Sequence, residues 1–293
     1  VAIVTGFIGL GAMGSPMALC LLKAGIPLVV YDIDAEKSRL LGAAGARIAA
    51  SPAEVAALAT RIVCMVSNVA QVRAVLTGAD GVMNSARAGH RIVFTGTIAP
   101  QDVTDLHAEL AHAGVMFTDA PVSGGVERAL AGTLAIYASG DSPAIDAFRD
   151  VFDAMGGDLF VLGKVGQGMA LKLINNMLVQ INTVAVAEAM TLGAGAGIDP
   201  QVIYDAVKVS TGYSVAFEMR VPRIIARDFK PGGILDISYK DQELETAYAK
   251  QLGVPMFLAP ITQQIFQLGH NMGLGSEDAA AIIKVYENLF QGV

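Results

Sequence analysis

A chain of 293 residues suits two domains or one large one, and its 53% apolar and 16% charged content implies well-buried elements, as in a parallel sheet covered on both faces. The net charge of −7 argues against non-specific binding to nucleic acid, and the lack of a run of about 18 uninterrupted apolar residues argues against a membrane span. Two cysteines, Cys20 and Cys64, sit in apolar runs and read as buried thiols of a reducing, cytoplasmic compartment rather than a disulfide framework, while the high mean hydropathy points to further buried surface at a subunit interface.

An apolar run over residues 2–8 enters Gly6-Phe7-Ile8-Gly9-Leu10-Gly11-Ala12-Met13-Gly14 with no basic segment before it, so it reads as a first strand and not as a signal peptide. A helix pattern over residues 17–22 follows, closed by Lys23-Ala24-Gly25. A second strand at 28–31 then ends at Asp32. Strand, tight turn, helix, strand and acid in this order cradle a dinucleotide pyrophosphate. Gly9 permits the turn, Gly11 lets the backbone approach the phosphates, and Gly14 lets the helix pack against the strand. Leu10, Ala12 and Met13 complete the loop. Asp32 lies 18 residues after Gly14, where a carboxylate accepts from a ribose 2′-hydroxyl and repels a 2′-phosphate, so the cofactor reads as NAD over NADP.

Further strand patterns fall at 62–66, 92–94, 115–119, 134–138 and 159–162, with helix patterns at 52–59, 69–76 and 101–113 between them. Repeated β-α-β units predict a doubly wound parallel sheet, with an antiparallel part among the later strands, where connections shorten. From 168 to 196 the pattern is one long helix, apolar nearly all round, with both faces expected to be buried. Helix patterns at 200–209, 214–226, 236–252, 255–272 and 277–290 follow. Pro200 and Pro255 stand at helix-start positions and Gly253 at a helix end. The expected organisation is a Rossmann domain over residues 1–163 and an all-α domain for substrate and oligomerisation over residues 164–293.

Lys172, Asn175 and Asn176 stand at i, i+3 and i+4 and so share one face of the long helix, among Leu171, Leu173, Ile174, Met177 and Leu178. An apolar setting disfavours an ammonium and makes the lysine a usable general base, with the amides beside it to hold a hydroxyl or carboxylate. The plainer reading has Lys172 reaching solvent and the amides joining helices. Ser123-Gly124-Gly125 offers a hydroxyl and free N–H groups to a carboxylate, or is an ordinary glycine turn. Thr97, after the strand at 92–94, falls where a nicotinamide or its ribose would lie. Lys240 reaches a cofactor or sits on a solvated face. The histidines, His90, His107, His112 and His270, lack ligand spacing and read as surface or helix-end residues, so no metal site is expected.

Together these blocks resemble the β-hydroxyacid dehydrogenase family, which includes 3-hydroxyisobutyrate dehydrogenases and tartronate semialdehyde reductases. The likeness rests on residues 6–14, on 119–125 with Gly132-Thr133-Leu134, on 166–176, and on Lys240-Asp241. It implies a Rossmann domain, a long linking helix and an all-α domain that supports homodimers or homotetramers. It also implies that Lys172 is the catalytic lysine, that Ser123, Gly124, Gly125, Asn175 and Asn176 meet a small 3-hydroxy acid, and that Thr97 and Lys240 touch the cofactor. Asp32 falls where NAD-preferring members carry an acid. The resemblance implies adenosine-side contacts at Val66, Ser67 and Asn68, where this chain departs from the family's frequent Met-Leu-Pro with Met65-Val66-Ser67-Asn68. Where the family often shows Ser-Thr, the chain has Gly96-Thr97.

Ser67-Asn68-x-x-Gln71 and Thr211-Gly212-Tyr213-Ser214 are similar to the branch that oxidises four-carbon sugar acids such as threonate. Tyr213, Phe217, Phe229 and Tyr239 are the candidates for the outer wall of the substrate pocket. Two rivals to an NAD-linked hydroxyacid dehydrogenase are an imine reductase-like enzyme and a non-catalytic cofactor-bound scaffold. Imine reductases usually carry Asp or Tyr where this chain has Lys172, and scaffold members lose the lysine.

Overall fold

A computed structural model describes residues 3–290, and the chain divides into two compact units between Lys172 and Leu173. In the first unit, strands β1 (Thr5–Ile8), β2 (Leu28–Tyr31), β3 (Arg47–Ile48), β4 (Arg61–Cys64), β5 (Arg91–Phe94), β6 (Met116–Asp119), β7 (Val122–Ser123), β8 (Leu134–Ser139) and β9 (Gly156–Leu162) form one sheet. Helices α1 (Gly14–Lys23), α2 (Ala35–Ala43), α3 (Pro52–Leu58), α4 (Val69–Thr77), α5 (Pro100–Ala111), α6 (Gly125–Ala131), α7 (Ser142–Asp146) and α8 (Arg149–Met155) connect them. Helix α9 (Gln167–Gly195) carries the chain into the second unit, which adds α10 (Pro200–Lys208), α11 (Val215–Ala226), α12 (Leu235–Leu252), α13 (Leu258–Asn271) and α14 (Ile283–Leu289).

The strand order is β3-β2-β1-β4-β5-β6-β8-β7, with β9 paired to β8. Strands β1 to β6 run parallel. The reversal expected among the later strands occurs at β8, which is antiparallel to β6 and β7 and meets β6 at the register pair Asp119↔Ser139. Because β1 has β2 on one side and β4 on the other, the chain winds both ways from it. In open α/β sheets ligands bind beside the strands' carboxyl ends at such a switch point.

Alternate residues of each strand feed apolar cores on both faces of the sheet, which is why these strands read as unbroken apolar runs. Phe7, Val30, Val63 and Val93 meet Met17, Leu21, Phe148 and Phe152 on one face. Ile8, Val29, Ile62, Cys64 and Phe94 meet Val55, Val72 and Leu106 on the other. Both cysteines are buried free thiols, and burial pushes the Cys64 thiol up to about 12. The second unit has its own core around Ala187, Met190, Phe217, Val221, Phe266 and Ile282. Beside it, Arg220 is buried against Asp278 at 2.6 Å, and Asp278 also accepts from the Gly233 and Ala280 N–H groups.

Several expectations need correction. Strands β3 and β7 have two residues each, too few to show alternation. Ala2 lies outside the described residues, and the described first strand is Thr5–Ile8. The helix expected over 255–272 starts at Leu258, and that over 277–290 is a tighter 3-10 turn, Ala279–Ile282, followed by α14. His90 is neither at the surface nor at a helix end: it is buried, with its ring nitrogens on Arg87 and on the Ala56 carbonyl. Helix α9 is not buried all round. Ile174 and Leu178 are each 53% exposed and Leu192 is 76% exposed. By length and composition α9 is also apolar enough to cross a membrane, a test that a core helix passes too. Leu173, Val184, Ala187 and Met190 on it are buried in the protein.

Candidate active site

The glycine loop leaves β1 at the switch point. Gly9 donates to the Tyr31 carbonyl at 3.0 Å and adopts φ +95°, and a Cβ there would overlap the Met65 carbonyl. A Cβ on Gly14 would overlap the Gly9 carbonyl, so helix α1 starts directly on the loop. Above Gly11 the space is open: a Cβ there would meet no atom within 4 Å. Helices α2, α3 and α4 are capped by Asp34, Ser51 and Asn68, whereas α1 has no side-chain cap; the Ser15 N–H goes to the Gly11 carbonyl, and the helix start otherwise faces an anion site. The Asp32 carboxylate accepts from the Leu10 N–H at 2.6 Å and from the Asp34 N–H at 2.8 Å. Each oxygen retains acceptor capacity for a ribose. An open space over Gly11, an uncapped helix start and an acid at the end of β2 fit a dinucleotide.

The exits of β4 and β5 lie against this loop. The Cβ position of Gly9 is 3.1 Å from the Val66 side chain, and a Cβ on Gly96 would overlap the Val66 carbonyl. Gly9, Val66 and Gly96 are therefore gathered at one place, with Thr97 next in the chain. Ser67 and Asn68 have a local role. Asn68 caps α4 by accepting from the Gln71 N–H, and the Gln71 side chain accepts from the Ser67 N–H. Ser214 likewise caps α11 through the Phe217 N–H. Both stretches that resembled the threonate branch thus have structural work as helix starts.

Ser123 ends β7 opposite Ala135 and is half-buried. Gly124 and Gly125 follow at φ +134° and +71°, and the stem of Arg128 packs over Gly124. Lys172, also half-buried, stands on the second turn of α9, the last residue of the first unit. Asn176, one turn on, donates to Asp241 at 2.7 Å and accepts from Asn175 at 3.2 Å, and Lys240 is ion-paired to the same Asp241 at 2.9 Å. Of the four aromatic wall candidates, Phe217 is ruled out: it is 3% exposed and stacks on Tyr204 in the core. Phe229 is flanked by Arg227 and Lys284, Tyr239 stacks on His270, and Tyr213 hydrogen-bonds Glu218. Among the described residues no group of three or more His, Cys, Asp or Glu is placed to hold a metal.

Asp119 is a buried acid to which sequence reasoning gave no role of its own. It ends β6, is fully buried, and accepts from the Ser139 hydroxyl at 2.6 Å, the Gly166 N–H at 2.9 Å and the Met169 N–H at 2.8 Å. Burial pushes its carboxyl above the usual range against the pull of those donors.

Comparisons with known proteins give the family. Residues 4–163 match the NAD-binding domain of 6-phosphogluconate dehydrogenase, and residues 166–286 match the NAD-binding region of NADP-dependent 3-hydroxyisobutyrate dehydrogenase. The chain is 35% identical to 2-(hydroxymethyl)glutarate dehydrogenase of Eubacterium barkeri, over 97% of this chain and 95% of that protein. It is 36% identical to L-threonate dehydrogenase of Cupriavidus necator, over 97% and 96%. This chain belongs to the β-hydroxyacid dehydrogenase family.

A solved 3-hydroxyisobutyrate dehydrogenase from Salmonella typhimurium superposes with a TM-score of 0.89 at 35% identity, covering 97% of this chain and 99% of that one. An imine reductase from a Pseudomonas species shares the fold alone, at 21% identity and a TM-score of 0.60. As a β-hydroxyacid dehydrogenase the protein is a nicotinamide-dependent oxidoreductase of small 3-hydroxy acids, built from a Rossmann unit and a helical unit.

Proposed function

We propose that Lys172 is the general acid/base of this dehydrogenase and that Ser123, Gly124 and Gly125 seat the substrate carboxylate. The observation that carries this is the root they share. The turn that follows β6 and the helix that bears Lys172 are tied at one buried carboxylate, Asp119, within one unit. NAD, when bound, supplies the acceptor for the hydride that leaves the carbinol carbon. The Lys172 Nζ, neutral, takes the hydroxyl proton as the C–O bond becomes a carbonyl, and in the reverse direction its ammonium returns that proton. Asn175 and Asn176, one turn along α9, orient the hydroxyl, with Asn176 itself held by Asp241. Asp32 favours NAD over NADP.

The range of curated relatives supports a small hydroxy acid with a second polar or acidic group as substrate. One named relative takes 2-(hydroxymethyl)glutarate and another L-threonate. We further propose a homo-oligomer, on the exposed apolar side chains of the second unit: Ile174 and Leu178 on α9, and Leu258 and Ile261 on α13 beside Phe257, which is 79% exposed. Residues 1–163 then hold the cofactor and supply the Ser123-Gly124-Gly125 turn, and residues 164–293 supply Lys172, the amides and the assembly surface. The two buried free thiols support a cytoplasmic, reducing setting.

The test is Lys172→Ala assayed against a panel of small hydroxy acids with NAD and NADP. Loss of turnover by about 10² or more with NADH binding kept is expected. A variant that turns over at the parent rate overturns the assignment.

A further inference from the structure

The start of α9 is not capped from its own flanking sequence. Gly163-Lys164-Val165-Gly166 offers no Ser, Thr, Asp or Asn before the helix; the Gln167 N–H turns back to the Lys164 carbonyl, while the Gly166, Gly168 and Met169 N–H groups go to the sheet. Gly166 and Met169 donate to opposite oxygens of Asp119, and Gly168 donates to the Ser139 hydroxyl at 2.9 Å, which itself donates to Asp119. Asp119 and Ser139 are the register partners by which β6 meets β8, and both are fully buried. Gly168 lies so close that a Cβ would overlap the Tyr137 carbonyl and sit 2.9 Å from Asp119. Three donors on two side chains leave the helix neither axial slip nor rotation at this end. Lys172 stands three residues beyond Met169, and Ser123 four residues beyond Asp119.

The geometry points to Asp119, assisted by Ser139, as the positioning residue that sets Lys172 against the Ser123-Gly124-Gly125 turn. This rests on the dehydrogenase reading given above. Asp119 touches neither substrate nor cofactor in this role. It acts through the first turn of α9, and its loss shifts the lysine without removing it. Charge matters as well as shape, because every group around the carboxylate is a donor. An amide at 119 turns its own N–H groups toward at least one of them.

Two variants displace the helix start by different means. Asp119→Asn removes the acceptor, and Gly168→Ala pushes the first turn off the strand end while keeping the carboxylate. Each is compared with the parent enzyme for kcat, KM, the pH profile of kcat, NADH affinity by fluorescence and melting temperature. Expected for both are a fall in kcat of about 10²-fold, a displaced pH profile and unchanged NADH affinity, since misplacing a reacting group by about 1 Å has that effect on rate. Parent-like kcat and pH profile in a folded variant overturn the assignment, as does a kcat loss that only tracks the unfolded fraction. If one variant fails to fold, the other decides.

A readout without turnover separates this inference from the function itself. Lysines are reductively methylated with carbon-13, the Lys172 signal is identified by its loss in Lys172→Ala, and its titration is followed by NMR. A displaced titration in Asp119→Asn supports the positioning role even if the parent oxidises no hydroxy acid, which would sink only the dehydrogenase mechanism. An identical titration overturns the positioning role.

Discussion

The Asp32 carboxylate accepts a hydrogen bond from the Leu10 N–H at 2.6 Å, so the acid proposed to face the cofactor ribose also braces the glycine loop. The two roles are separable by measurement. Asp32→Ala is expected to narrow the NAD over NADP preference by about 10- to 100-fold in kcat/KM, the worth of a charged hydrogen bond. It is also expected to weaken NADH binding through a looser loop. Steady-state kinetics with both cofactors reads the first effect and fluorescence titration the second. An unchanged preference sinks the assignment.

Gly9 and Gly11 differ in what a methyl group would meet, and the same substitution should separate folding from binding. Gly9→Ala forces φ +95° on an L-residue and overlaps the Met65 carbonyl, so a loss of roughly 3 kcal/mol or more is expected by denaturant melt. Gly11→Ala meets open space and should leave stability unchanged, yet weaken NADH binding by about tenfold or more by filling the path of the pyrophosphate. Parent-like NADH binding in Gly11→Ala would count against the loop as a phosphate cradle.

Asp241 holds Asn176 on one oxygen and Lys240 on the other. Asp241→Asn is expected to raise KM for the hydroxy acid and lower kcat, by about tenfold in kcat/KM, because the Asn176 amide loses its charged acceptor. Substrate-saturation curves of the variant check this, and parent-like curves would remove Asn176 from the substrate face.

Stability in acid should depend on Arg61 and Asp150. The buried guanidinium donates to both Asp150 oxygens at 2.6 and 2.8 Å and holds that carboxyl below its ordinary value. A depressed folded-state value means stabilisation that is present above the unfolded-state pKa of about 4 and is lost as pH falls through the lower folded-state value. Asp150→Asn should therefore melt lower at neutral pH, by a small margin because Asp150 is half-exposed, and converge with the parent in strong acid. Parallel melting curves at every pH would exclude the pair as a source of acid sensitivity.

The exposed apolar side chains of α9 and α13 predict an assembly that a charge should break. Phe257→Asp is expected to lower the molar mass measured by light scattering while the helical content stays at the parent level. A monomeric parent protein ends that reading.

What was legible in the sequence was local. The glycine loop, α1 and Asp32 lie within 30 residues, and their spacing alone implies strand, turn, helix and acid. The long helix declared itself by length, but which of its faces was covered did not, because Ile174 and Leu178 look the same in sequence whether they pack or not. Strand β7 was too short to read. Asp119 and Ser139 stayed hidden because their partners at Gly166, Gly168 and Met169 lie 29 to 50 residues away, and an acid at a strand end reads as ordinary turn punctuation. Phe217 was misplaced for the same reason: its stacking on Tyr204 is a matter of tertiary packing, not pattern.

The strand-borne cap of α9 also orders events in time. A helix capped by its own neighbours can begin as soon as its residues leave the ribosome or the denaturant. The Gly166, Gly168 and Met169 donors of α9 gain their partners only when β6 and β8 meet, since Asp119 and Ser139 become a pair only in that register. Helical signal from the rest of α9 should thus return early in refolding, while Lys172 comes into place only when the sheet closes, and recovered activity should lag behind recovered helix.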